Sequence, residues 1–271
     1  MQGRPEFIQT AIKAAYINQL LQVGFDTIDF GSFVSPKAVP QMRDTAEVLD
    51  LLDLYGSKSS LLAIVANTRG AADALQFGQI DYLGFPLSVS ETFQQRNTNK
   101  SISEALQVVE EIQNQCEVKG RKLVTYLSMG FGNPYGDPYA AEMVAEFVGT
   151  LQEFGVSIIS FSDTVGTATP ELIAELYQVN ARAYPGIEFG LHLHTHPETL
   201  NPKIKAALAA GCTRFDAAMK GFGGCPMADD ALVGNVATES LVEILEQSGL
   251  KTDLDKNEFA EAMKLANVVF R

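Results

Sequence analysis

The stretch Phe189-Gly190-Leu191-His192-Leu193-His194 decides the fold. Its side chains alternate with the period of a strand, so Leu191 and Leu193 face one way and His192 and His194 the other. Two apolar side chains on one face need a packed layer behind them, and two imidazoles on the other need a polar space. A strand of a parallel barrel offers both, because helices cover its outside and the active site opens at the end of its lumen.

Moving outward from this stretch, short apolar or β-branched runs of the same kind recur at Ser157-Ile158-Ile159-Ser160-Phe161, Leu123-Val124-Thr125-Tyr126-Leu127, Tyr82-Leu83-Gly84-Phe85, Leu61-Leu62-Ala63-Ile64-Val65 and Asp26-Thr27-Ile28-Asp29-Phe30, and once more at Arg214-Phe215-Asp216-Ala217-Ala218. The segments between them place apolar residues three and four apart, as in Ala141, Val144, Ala145, Val148 and Leu151, the signature of a helix covering a sheet. Gly24, Gly78, Gly155 and Gly211 stand where such helices should stop. No Pro/Gly/Ser-rich linker interrupts the repeat, so residues 1–271 are expected to form a single domain, α/β in class, a TIM (β/α)8-type barrel. Eight strands close such a barrel and seven are legible. The chain instead begins with a helix near Ala11–Val23, with Thr10 as its expected N-cap and Phe7, Ile8, Ala11, Ile12, Ala15 and Tyr16 on its apolar side. The expectation is a barrel whose first strand is missing from this chain, closed at the other end by helices near Leu241–Gln247 and Phe259–Val269.

Composition narrows the function classes. With 46% apolar side chains over 271 residues, the chain can bury a large core. Its net charge of −13 repels nucleic acid on average. No apolar run is long enough to span a membrane, and the start lacks a signal-peptide profile, so no membrane partner and a cytoplasmic location are expected. Cys116, Cys212 and Cys225 show no CxxC spacing, which argues against a disulfide framework or a zinc knuckle and fits a reducing compartment.

The candidate chemistry gathers at strand ends. His192 and His194 project into the lumen near its C-terminal mouth, where two imidazoles can ligate a metal or form a hydrogen-bonded core pair; His196 falls in the loop beyond. Asp29, Ser128, Asp163 and Asn235 are expected on the same side, although any single acid there could equally be a cap or turn residue. Oxygen ligands beside two imidazoles suit Mg²⁺ or Mn²⁺, and also Zn²⁺. The glycine-rich loop Gly221-Phe222-Gly223-Gly224-Cys225-Pro226 presents a thiol that is either an acid/base group or an incidental turn residue, while Cys116 and Cys212 read as packing.

Several of these segments together resemble the 3-hydroxy-3-methylglutaryl-CoA lyase family of metallolyases. Ser32-Phe33-Val34-Ser35-Pro36-Lys37 with Val39-Pro40-Gln41-Met42 is similar to the loop after the family's second strand, and Gly223-Gly224-Cys225-Pro226 to its cysteine loop. Gly234-Asn235-Val236-Ala237-Thr238-Glu239, Ser162-Asp163-Thr164-Val165-Gly166 and Tyr126-Leu127-Ser128 match as well, so the resemblance spans the chain. It implies a divalent cation held by His192, His194 and Asn235, and an acyl-CoA substrate. Cys225, His192 and Asp29 would be the catalytic groups, with Ser32, Ser128, Asp163, Glu239 and Lys37 at the substrate or behind it. Cleavage to acetoacetate and acetyl-CoA by a retro-Claisen reaction, a place in leucine and ketone-body chemistry, and a homodimer follow from the same resemblance.

Three departures qualify it. The family's Arg-Asp pair at the end of its first strand would precede Met1, so the chain as written is expected to be impaired, and Met1 is expected to be an internal methionine of a longer protein. Asp29 stands where the family usually has Glu, and the cysteine loop is longer around Asp229-Asp230. Two other readings stay open at this stage: a related synthase condensing an acyl-CoA with a 2-oxo acid, and an inactive metal-binding barrel. Lys37, Arg96 and Lys100 are candidates for the phosphates of the acyl-CoA, against the plainer reading of solvated surface charges.

Overall fold

A computed structural model describes residues 1–2, 4, 6–223 and 233–270. Seven strands form one all-parallel sheet in sequential order: β1 (Thr27–Ser32), β2 (Ser60–Ile64), β3 (Tyr82–Ser88), β4 (Lys122–Ser128), β5 (Ile158–Asp163), β6 (Glu188–Leu193) and β7 (Arg214–Asp216). All seven coincide with the runs legible in the sequence. The helices are α1 (Thr10–Val23), α2 (Thr45–Asp50), α3 (Thr68–Ala74), α4 (Glu91–Thr98), α5 (Ile102–Val118), α6 (Ala141–Glu153), α7 (Pro170–Ala183), α8 (Pro197–Ala209), α9 (Thr238–Gln247) and α10 (Lys256–Val269). Strictly sequential parallel order, with a crossover after each strand, winds the sheet one way and leaves its two faces different.

Those faces are easy to tell apart. Leu61, Ala63, Leu83, Phe85, Leu123, Leu127, Ile159, Phe161, Leu191 and Leu193 point outward into the helical layer and are almost fully buried. Each Leu or Phe so buried contributes about 1.5–3 kcal/mol relative to exposure. The alternate positions Leu62, Val124 and Ile158 form a separate cluster with Ile64, Tyr82 and Tyr126, which plugs the lumen. The sheet is curled rather than flat. Asp29 on β1 interacts electrostatically with Asp216 on β7 and His192 on β6, and Tyr126 on β4 with both carboxylates. Among the described residues β1 and β7 are the two ends of the sheet.

Helix starts follow local chemistry. Ser101 and Glu104 form a reciprocal capping box on α5, Thr169 caps α7 ahead of Pro170, and Asn67 caps α3 through the Gly70 amide. Gly24, Gly155 and Gly211 take the left-handed conformation expected after a helix, whereas Gly78 does not. It lies past the end of α3, where its carbonyl accepts from Arg121 Nη2 at 2.6 Å.

The reading of α1 needs correction. Thr10 is the first helical residue rather than the cap, because its hydroxyl donates 2.7 Å to Asp44 Oδ2 instead of bonding to the helix. Phe7 and Ile8 precede the helix, and Phe7 and Ile12 are exposed. The buried face runs through Lys13, Ala14, Tyr16, Ile17 and Leu21. Periodicity failed here because a charged residue, Lys13, sits on the buried face. It is 1% exposed, 2.6 Å from Asp44 Oδ1, and also bonded to the Gln41 carbonyl.

Candidate functional site

At its top layer the lumen becomes polar. His192 of β6 and His194, one residue past its end, lie side by side with ring centroids 5.5 Å apart. The strand register places His192 directly beside Asp216 of β7, and Nδ1 lies 3.4 Å from Asp216 Oδ2. The same Asp216 oxygen accepts from Ser160 Oγ of β5 at 3.1 Å, so one carboxylate is held from the neighbouring strands on one side. Tyr126 meets the His192 ring edge to face at 5.6 Å.

His194 continues beyond the strand and pairs, antiparallel, with Asn235 through an isolated backbone bridge. Burial first, and then the neighbouring His192, push its pKa down to about 4, partly offset by a hydrogen bond to the Val233 backbone. It is therefore neutral near pH 7, the form in which imidazole ligates a metal. Asp216 engages Nδ1 of His192, and the Val233 backbone engages the His194 ring.

Asp29 faces the pair from β1. Solvent reaches it although protein surrounds it, as expected inside a barrel mouth. Burial is the main reason its carboxyl is pushed up to about 7, with Asp216 adding to the rise and His192 opposing it.

A bulge completes this side of the site. Asp29 pairs with Leu62 but Gly31 pairs with Ala63, one residue out of step, so Ser32 lies beside Ile64 on the lumen side. The glycine is required, since a Cβ on Gly31 would meet Thr45 Cγ2 of α2 at 2.4 Å. Ser32 and Ser128 both end their strands nearly buried.

Other expected residues lie elsewhere. Asp163 was expected on the lumen side, but it is turned outward next to Phe161 in the alternation and is 1% exposed. Its carboxylate accepts from the amides of Thr167 and Ala168 and pairs with Lys203 of α8 at 3.4 Å, so it anchors the loop after β5. Its backbone carbonyl accepts from the His194 amide at 3.1 Å, which leaves it one indirect connection to the site. Glu239 accepts from the Lys220 amide at 2.9 Å, next to the cysteine loop. Lys37 is exposed on the loop after β1, and Arg96 lies over the Tyr135 ring at 4.7 Å. His196 is exposed just before α8. Cys225 and Asp229-Asp230 lie outside the described residues; Cys116 and Cys212 are buried.

Sequence reasoning missed Asp216, Tyr126 and Ser160 as parts of the site. A signal for Asp216 existed: an acid two residues along β7 from Arg214, on the strand next to the one carrying both histidines. Among the described residues no three His, Cys, Asp or Glu side chains cluster closely enough to hold a metal by themselves. Two imidazoles would therefore need a ligand of another type, and Asn235 is the backbone bridge partner of His194.

A family model described as HMGL-like matches residues 1–268. The chain belongs to the HMGL-like family. The hydroxymethylglutaryl-CoA lyase of Bacillus subtilis (strain 168) is 35% identical over 264 residues, covering 97% of this chain and 87% of that protein. The crystal structure of the Bacillus subtilis HMG-CoA lyase superposes with a TM-score of 0.92 at 34% identity, covering 100% of this chain and 90% of that one. An HMG-CoA lyase from Acinetobacter baumannii, solved with coenzyme A and 3-methylmalate, gives 0.90 at 29% identity, covering 100% and 88%. The HMGL-like fold of these relatives is the barrel expected from the strand pattern. Among the described residues no helix is long and apolar enough to cross a membrane.

Proposed function

We propose that this chain is a divalent-metal-dependent carbon-carbon lyase that cleaves 3-hydroxy-3-methylglutaryl-CoA to acetoacetate and acetyl-CoA. The carrying observation is the His192–His194 pair on the lumen wall, with Asp216 behind the His192 ring and Asn235 paired with His194 through the backbone. His192, His194 and the Asn235 amide oxygen would hold the cation, Mg²⁺ or Mn²⁺ suiting a mixed nitrogen and oxygen set, as the family's metal dependence leads one to expect. When bound, the cation would polarise the substrate hydroxyl and carbonyl oxygens.

The chain's own residues supply the proton chemistry. Asp29 faces His192 across the lumen, and with both nitrogens of that ring committed it is the proposed base that takes the proton from the tertiary hydroxyl. The O–H electrons become the carbonyl of acetoacetate, the C2–C3 bond breaks, and its pair is left on the thioester as an enolate. Cys225 is the proposed acid that returns a proton to that carbon. Ser32 and Ser128, at the ends of their strands, are proposed contacts for the carboxylate end of the substrate. Lys37 is the proposed contact for the phosphates of the acyl-CoA, an acyl-CoA being consistent with the coenzyme A bound by the Acinetobacter baumannii relative.

The test is direct. The purified chain is incubated with 3-hydroxy-3-methylglutaryl-CoA and Mg²⁺ or Mn²⁺, and acetoacetate and acetyl-CoA are measured. Equimolar formation of both, abolished by EDTA and lowered by Cys225→Ala, is the expected result. CoA release from acetyl-CoA and a 2-oxo acid, without acetoacetate from the lyase substrate, overturns the proposal.

A further inference from the structure

An asparagine can ligate a cation only through its amide oxygen, so something must decide which end of the amide faces the site. The structure shows what does. Asn235 Nδ2 donates 3.0 Å to the carbonyl of Phe222, which commits the nitrogen to that side and turns Oδ1 the other way. The approach is close enough to need glycines. A Cβ on Gly223 would stand 2.8 Å from Asn235 Nδ2, and one on Gly221 2.9 Å from the Asn235 carbonyl, and both residues have φ in the left-handed region.

The Phe222 carbonyl must itself be held, and its ring does so. Phe222 stacks on Phe270, just past α10, with centroids 4.7 Å apart, and Phe270 meets Tyr16 of α1 edge to face at 5.7 Å. Tyr16 is 4% exposed, which makes it a fixed support. Lys220 adds a second tie, bonding Asn267 of α10 and lying over the Phe222 ring at 5.6 Å. Phe222 is 36% exposed and lies outside the buried clusters, so its stack on Phe270 ties the turn to the end of α10 more than it fills the core.

We infer that Phe222 and Phe270 are positioning residues for the metal site, an aromatic ladder from α1 and α10 that holds the Phe222 carbonyl against Asn235 and so aims the amide oxygen at the cation. This rests on the proposed ligand set and extends it to residues that touch neither cation nor substrate. Loss of the support should weaken the metal without removing any ligand, by the roughly 10- to 100-fold typical of groups that orient metal ligands.

The experiment is a Mn²⁺ titration of the intact chain, free Mn²⁺ being followed by electron paramagnetic resonance, for the wild type and for Phe222→Ala, Phe270→Ala, Phe270→Tyr and His194→Ala. His194→Ala should lose binding. Phe222→Ala and Phe270→Ala should each weaken it about 10-fold, and Phe270→Tyr, which keeps a ring, should restore it. Phe222→Ala is the decisive variant because Phe222 lies outside the buried clusters, and circular dichroism checks that it folds. Wild-type affinity in Phe222→Ala, with His194→Ala still defective, overturns the ladder and leaves the ligand set standing. Wild-type affinity in His194→Ala overturns the ligand set and the ladder together.

Discussion

His192 Nδ1 lies 3.4 Å from Asp216 Oδ2, and the two residues are direct partners across the β6–β7 ladder. The pairing fixes one ring nitrogen and orients the other, the arrangement by which carboxylates support metal-bound imidazoles. Asp216→Asn keeps the size and removes the charge. It is expected to weaken Mn²⁺ binding and lower turnover by roughly 10- to 100-fold, measured by metal titration and by acetoacetate formation. Ser160→Ala, which removes only one donor to the same oxygen, should fall well short of that loss. Equal behaviour of Asp216→Asn and wild type would show that His192 does not need this partner.

Lys13 and Asp44 make a different kind of contact, since both side chains are out of water. Removing one charge strands the other, so Lys13→Met is expected to destabilise the fold by about 3–5 kcal/mol. Urea unfolding of the variant reads this directly. Because Gln41 also bonds the carbonyls of Arg4 and Glu6, the loop after β1 should loosen with the pair, raising KM for the acyl-CoA in the fraction that folds.

Asp137 provides a pH test away from the histidine pair. Its carboxyl is held below the ordinary range by the Ser90 hydroxyl first, with the Thr92 amide and hydroxyl adding to the effect. A group depressed in the folded state stabilises it above the unfolded pKa and stops doing so as pH falls through the folded value. Wild type should therefore be more stable than Asp137→Asn at pH 7, and the difference should shrink below about pH 4. Urea midpoints of both proteins at several pH values decide it; a difference that stays constant through the acid range would remove the carboxylate's role.

Gly31 tests the bulge in β1. A methyl there would meet Thr45 Cγ2 at 2.4 Å, so Gly31→Ala must displace either α2 or the bulge that carries Ser32. The expected cost is about 1–3 kcal/mol, as for other overpacked cores. Gly31→Ala combined with Thr45→Ser, which deletes the clashing methyl, should recover most of it in thermal unfolding.

The strands and the histidine pair were legible in the sequence because each is a local pattern. Leu191 and Leu193 against His192 and His194 is an alternation of period two, and the backbone geometry of one strand is enough to interpret it. The loops around Ser35-Pro36, Cys225 and Asn235 were legible for another reason: they resemble a family, and the match over residues 1–268 places the chain in it. Asp163 shows the limit of such reading. It ends β5 as the histidines end β6, yet its alternation turns it toward α8, where Lys203 and two loop amides consume it.

By itself, then, the sequence determined which segments are strands, which face of each is apolar, and that two imidazoles share one wall. Only the tertiary structure decided that Asp216 stands behind His192, that a bulge turns Ser32 inward, and that the Phe222 carbonyl accepts from Asn235. The physical reason is range. Side-chain alternation is set within a few residues of backbone, whereas register between strands, curvature of the sheet and the meeting of Tyr16 and Phe222 on opposite sides of Phe270 exist only once distant segments have packed.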